Sequence, residues 1–191
     1  MYPGVNNTEL CPTRFFTGES IYKPGCEPDE GEIRRRVDLY WRPYHQALAA
    51  ELARIKAEHG HAILWDGHSI RSELPWLFDG RLPSLNFGTV NATSCAPSLR
   101  SRIAKEATQQ KQFEYVMDGR FKGGYITRQY GQPTGGIHSV QLEMVWDCYM
   151  QERRPFELDP ERMQRLLPVL RALLVACLHW KPDWKPDWKP E

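Results

Sequence analysis

Between residues 29 and 59 the apolar and aromatic positions Ile33, Val37, Tyr40, Trp41, Tyr44, Leu48, Leu52 and Ile55 recur at intervals of three and four, the period of one helical face. Asp29, Glu30 and Glu32 put negative charge at the start, where the helix dipole favours it, and Gly60 supplies the stop. Pro43 falls inside this pattern and predicts a kink or a break into two helices near Trp41. Residues 61–66 then read as a short buried strand whose C-terminal end carries Asp66-Gly67-His68-Ser69. Further on, the pattern predicts a helix over 97–110, a strand over 113–117, a strand over 137–144 and a last amphipathic helix over 160–180. In the 137–144 strand Val140, Leu142 and Met144 alternate with Gln141 and Glu143. Segments 1–28, 71–96 and 118–136, rich in Pro and Gly, read as irregular. The order helix, strand, helix, strand, strand, helix argues an α/β fold with helices flanking the sheet.

Composition narrows the class. A length of 191 residues suits one domain, assigned to 1–180, with 181–191 as an exposed tail of a Trp-Lys-Pro-Asp repeat that starts at Trp180. The 25 Lys and Arg against 24 Asp and Glu leave a net charge of +1, which argues against nucleic acid or an anionic membrane as a partner. Apolar runs of a few residues fall far short of the roughly 20 that a membrane-spanning helix needs. The first residues lack the basic and apolar regions of a secretory signal. Five widely spaced cysteines without a CxxC pair fit reduced thiols and a cytoplasmic setting.

The candidate chemistry sits at strand ends and in the Gly-rich segments. His68, with Asp66 and Ser69 beside it, reads either as a ligand to a catalytic zinc, which needs three protein ligands, or as a histidine satisfied by hydrogen bonds in a loop. Glu143 is either a buried carboxyl whose raised pKa suits a general base, or an edge-strand glutamate facing water. Arg71, Arg120, Lys122 and Arg128 are either carboxylate-recognising groups or ordinary surface cations. His138, at the start of the third strand, either orients Glu143 or substrate or makes a structural hydrogen bond.

These residues lie in blocks that resemble the N-formylglutamate amidohydrolase family. The blocks, in order, are Tyr2-Pro3-Gly4 with Leu10-Cys11-Pro12-Thr13, Tyr40-Trp41-Arg42-Pro43-Tyr44-His45, and Leu64-Trp65-Asp66-Gly67-His68-Ser69-Ile70-Arg71-Ser72. They continue through Leu77-Phe78-Asp79-Gly80-Arg81-Leu82-Pro83, Asn86-Phe87-Gly88-Thr89, the run from Gly119-Arg120 through Lys122-Gly123-Gly124 to Arg128, and Val140-Gln141-Leu142-Glu143-Met144. The resemblance implies a zinc-dependent hydrolase that cleaves N-formyl-L-glutamate to formate and L-glutamate in histidine degradation. It also implies a mixed sheet of the zinc-carboxypeptidase, phosphorylase/hydrolase-like type. It makes His68 a zinc ligand and Glu143 the general base, and sets Arg71, Asn86, Arg120, Lys122, Arg128 and His138 on the substrate side. Members of the family normally begin with a further segment carrying Pro-His-(Ala/Ser)-Gly, which this sequence lacks. The resemblance therefore implies an N-terminally truncated domain with His68 as a lone ligand. Asp118 stands where the family commonly has Asn, Gly67 where it has Ala, and Gln129 where His often follows the arginine. Two other functional readings stay open: a non-catalytic remnant, and an amidohydrolase of another N-acyl amino acid. The expected partner is a small N-acyl amino acid, with self-association the one further contact left open.

Overall fold

The structure, a computed structural model, describes residues 10–15, 18–75 and 77–183; the Tyr2-Pro3-Gly4 block and the repeat units after the first lie outside them. The described residues divide into two compact units. One runs up to Ala50 and includes Glu73–Arg81; the other comprises Glu51–Ser72 and everything from Leu82 onward. The sequence reading had assigned one domain to 1–180.

In the first unit, helix α1 (Glu30–Arg36) starts at Asp29, whose carboxylate accepts the Glu32 N–H at 2.8 Å. That bond satisfies one of the donors a helix start leaves unpaired. A π-helical turn, Val37–Trp41, follows, and helix α2 (Arg42–His59) begins directly after it. The break predicted from Pro43 takes this form. The Arg42 N–H reaches back five residues to the Val37 carbonyl, and Pro43 occupies the first turn of α2, where a missing N–H costs least.

The second unit is built on a four-stranded mixed sheet in the order β1-β4-β2-β3, formed by β1 (Ala62–Ile70), β2 (Leu85–Gly88), β3 (Tyr115–Met117) and β4 (Ile137–Val145). β1 runs parallel to β4, β2 antiparallel to β4, and β3 parallel to β2. Three elements differ from the sequence reading. β1 continues through Gly67, His68 and Ser69 to Ile70, because nine residues of β4 pair with it. β2 lies within the segment read as a loop; four fully buried residues show too little alternation to betray a strand. A short helix, α4 (Tyr125–Tyr130), lies inside the Gly-rich segment.

One face of the sheet carries Trp65, Phe87 and Tyr115, whose rings meet edge to face at 6.2 and 6.3 Å. On this side helix α3 (Pro97–Gln109) buries Leu99, Ile103 and Ala107. Helix α5 (Pro160–Leu178) packs against α3 and buries Leu166, Val169, Leu173, Ala176 and Cys177. Trp180, the first residue of the repeat, is 3% exposed, stacks edge-on against His138 at 4.8 Å and donates its indole N–H to Ser98. Trp180, the last residue of the domain read as 1–180, thus lies in the core. Cys95, Cys148 and Cys177 are buried free thiols. No helix among the described residues is long and apolar enough to cross a membrane.

The opposite face carries Asp66 and His68 of β1, Gln141 and Glu143 of β4, and Asn86 and Gly88 of β2, since register partners share a face and alternate residues return to it. The Gly-rich loop closes on this face. A Cβ on Gly88 would lie 2.4 Å from the Gly123 nitrogen and 2.7 Å from the Lys122 carbonyl carbon, so backbone passes where a side chain would stand. Gln141, 6% exposed, fixes the loop by accepting the Gly124 N–H at 2.6 Å. We therefore expect Gly88→Ala to force the 122–124 backbone off the sheet and to lower stability by about 1–3 kcal/mol, the usual range for overpacking. Denaturant unfolding reads the loss, and hydrogen exchange at the Gly124 amide reads the displacement.

Candidate active site

The geometry of the candidate site follows from the β1–β4 register. His68 pairs with Glu143 across the parallel ladder, and Glu143 pairs with Asn86 across the antiparallel one, so the three form one row. Asp66, Gln141 and Gly88 form the next row on the same face.

His68 lies inside β1 and is about half exposed; its Nε2 stands 2.9 Å from an Asp66 carboxylate oxygen. The two side chains meet because residues two apart on a strand point the same way. The Asp66 hydrogen bond raises the His68 pKa against the opposing effect of burial, with further electrostatic support from Asp66 and Glu143. Of the two readings of His68, the structure places it in a strand with a carboxylate partner.

Glu143 stands on an inner strand and is 8% exposed, which removes the reading of an edge glutamate facing water. Burial pushes its carboxyl up to about 7; the neighbouring His68 pulls it down and Asp66 pushes it up. Its carboxyl oxygens make no hydrogen bond among the described residues. The Glu143 carbonyl is held by Asn86, whose Nδ2 donates to it at 3.2 Å and to the Pro83 carbonyl at 2.8 Å. Asn86 is 1% exposed and its Oδ1 is buried without a partner, so it braces the strand beneath Glu143 and presents no open face to a ligand.

The cations distribute unevenly. Lys122 and Arg128 are exposed and come from the loop and from α4, which packs against β4 and β1, over the face that bears Glu143. Arg120, also exposed, precedes them on the same loop. Arg71 follows β1 directly and is tied elsewhere: its Nη2 donates to the Glu152 carbonyl at 2.8 Å, while the Glu152 carboxylate accepts the Ser72 N–H and hydroxyl at 2.6 and 2.7 Å.

His138 is set apart. It is an odd number of residues from Glu143 on β4, hence on the opposite face, and about 16 Å along the strand at the usual rise. Its Nδ1 accepts the Ala96 N–H at 3.2 Å, and burial, with His61 nearby, pushes its pKa down to about 4. It is a neutral core histidine, and the part of orienting Glu143 or substrate does not fit that position. Gln141 is the group the sequence reading passed over. Its alternation with Glu143 put it on this face, but only β2 and the loop reveal what it holds.

The zinc expectation meets a short donor set. Among the described residues no group of three or more His, Cys, Asp or Glu side chains is placed to hold a metal ion. His68 and Asp66 are two donors where a catalytic zinc takes three protein ligands, so the residues present do not fit the ion.

A model of the family described as N-formylglutamate amidohydrolase matches residues 1–150. The chain is 44% identical over 180 residues to the N-formylglutamate deformylase of Pseudomonas putida, covering 94% of this chain and 67% of that one. It is 45% identical over 173 residues to that of Pseudomonas aeruginosa, covering 91% and 65%. It also resembles the crystal structure of an N-formylglutamate amidohydrolase from Ralstonia eutropha JMP134, with a TM-score of 0.66 at 24% identity, over 78% of this chain and 54% of that one; at that identity the likeness speaks for the fold. The chain thus spans about two thirds of the curated relatives' length and about half of the solved one's. With most of its length matched by the family and by relatives at this identity, the chain belongs to the N-formylglutamate amidohydrolase family.

Proposed function

We propose that this chain carries the general-base half of an amide hydrolase site that acts on N-formyl-L-glutamate, with Glu143 as the base. One observation carries the reading: a carboxyl buried on an inner strand, without a hydrogen bond among the described residues, with its pKa pushed up to about 7 beside the Asp66–His68 pair. Such a group is part ionised near neutral pH. It takes a proton from water as the water oxygen bonds to the formyl carbon, and returns it to the amine nitrogen as the C–N bond breaks, leaving formate and L-glutamate. The positive charge on His68 favours the ionised form of Glu143. Arg120, Lys122 and Arg128, on the segment above this face, are the groups we assign to the substrate carboxylates. The substrate is taken from the names of the Pseudomonas relatives. Histidine degradation and a cytoplasmic setting belong to the same proposal.

Zinc enters through the family resemblance, which makes His68 a ligand. The two-donor set favours a second reading, in which the 191-residue chain is a non-catalytic member of its family. We expect the purified chain, dialysed after zinc loading, to retain well under one zinc per chain by elemental mass spectrometry. A stoichiometric ion would overturn the donor argument, and formate release from N-formylglutamate would exclude the non-catalytic reading.

Glu143→Gln tests the base. Where the parent chain turns over, the variant is expected to lose on the order of 10²- to 10⁴-fold in formate release, the usual contribution of a general base. Parent activity should rise with pH through about 7, as Glu143 ionises. A second readout needs no activity. Because the folded pKa lies above the ordinary 4.5, the folded chain keeps a proton that the unfolded chain has lost between 4.5 and about 7. Glu143 therefore makes stability fall as pH rises through that window, and Glu143→Gln should lack this slope in denaturant titrations. Equal slopes in the two proteins would show that Glu143 is not held as described.

A further inference from the structure

The loop above the site is held at its near end by a single carboxylate. Asp118, directly after β3, has a side chain 8% accessible. One of its oxygens accepts the Thr89 N–H at 2.6 Å and the Asn91 N–H at 3.2 Å. The other accepts the Thr89 hydroxyl at 2.6 Å and Nη2 of Arg100 at 3.1 Å. The Asp118 N–H in turn donates to the Phe87 carbonyl at 2.7 Å. Burial works against the charge on Asp118, and the bonds from Thr89, Arg100 and Asn91 outweigh it, leaving the carboxyl below its ordinary range.

This clamp imposes a backbone that side chains resist. Val90, Asn91 and Ala92 take φ of 52, 53 and 66°, and Asp118 itself 54°. A β-branched valine rarely adopts the left-handed region; the run persists because each of its N–H groups is bound, that of Asn91 to Asp118, that of Ala92 to the Thr89 hydroxyl oxygen and that of Val90 to the loop. The product of the strain is a second tie: the Val90 N–H donates to the Lys122 carbonyl at 2.6 Å, one residue from the Gly88–Gly123 contact. Residues 118–122 are therefore fastened at both ends to the turn after β2, and Arg120 lies midway between the ties.

We propose that Asp118 is a positioning residue for substrate recognition, holding the loop that carries Arg120 and Lys122 where a cation meets the side-chain carboxylate of an N-acyl dicarboxylic amino acid. This rests on the substrate reading above and adds to it the device that sets the selectivity. Asp118 touches no reacting atom; it acts through the height and register of the loop over the Glu143 face.

The test is direct binding of two probes, N-formyl-L-glutamate and N-formyl-L-glutamine, to the full chain carrying Glu143→Gln, so that neither is consumed. The probes differ only in the side-chain carboxylate. The expected result is a preference for the glutamate probe, a loss of tenfold or more for it on adding Asp118→Ala, and less than a twofold change for the glutamine probe. Asp118→Asn, which keeps an acceptor for the Thr89 and Asn91 N–H groups, should restore most of the affinity. Arg100→Gln removes the ion pair, leaves the Thr89 bonds, and should give a smaller loss of the same selectivity; it decides the matter if Asp118→Ala does not fold. Equal losses for both probes, or no loss for either, would overturn the positioning role while leaving the substrate reading intact. A parent chain without preference for the glutamate probe would overturn the substrate reading, and this inference with it.

Discussion

The parallel pairing of β1 with β4 is the constraint on which the site depends. Nine residues in register put His68 opposite Glu143 and Asp66 opposite Gln141, and a slip of one position would turn Asp66 and His68 to the aromatic face. Everything chemical follows from this alignment. Asp66 and His68 meet because they are two apart on one strand, and their charges act on Glu143 because it is the cross-strand neighbour. The antiparallel partner β2 then adds Asn86 under the Glu143 backbone and leaves Gly88 bare for the loop to approach.

The site is consequently a balance between a dry sheet and a polar row. β4 is buried on both faces, and Gln141 and Glu143, in adjacent rows of one face, are accommodated differently. Gln141 is satisfied by the Gly124 N–H, which is the ordinary solution for a buried amide. Glu143 has no such partner among the described residues, and its cost appears as a carboxyl that holds its proton up to about neutrality. Burial beside the Asp66–His68 pair is thus what leaves the Glu143 carboxyl able to exchange a proton near neutrality.

Much of this was legible in the chain, and the parts that were not have physical causes. The long amphipathic stripe ahead of Gly60, the acidic start and Pro43 announced α1, α2 and the break between them, because helical period and proline chemistry are local. Alternation at Val140, Gln141, Leu142 and Glu143 announced β4 and the polar face. β2 was hidden: Leu85-Asn86-Phe87-Gly88 is short, buried throughout and bordered by Pro83, so only its partners make it a strand. The end of β1 was misplaced for the same reason, since Gly67-His68-Ser69 is extended by pairing and not by its own preference. Whether Glu143 faced water or protein depended on strand order, which no local pattern encodes. His138 and Asn86 stood in informative places in the sequence, but the sheet turns one to the far face and spends the other on carbonyls.

Trp180 joins the repeat to the interior. Each repeat unit opens with tryptophan, and the first of these fills the space beside His138. Deleting or duplicating a whole Trp-Lys-Pro-Asp unit therefore still leaves a tryptophan at position 180.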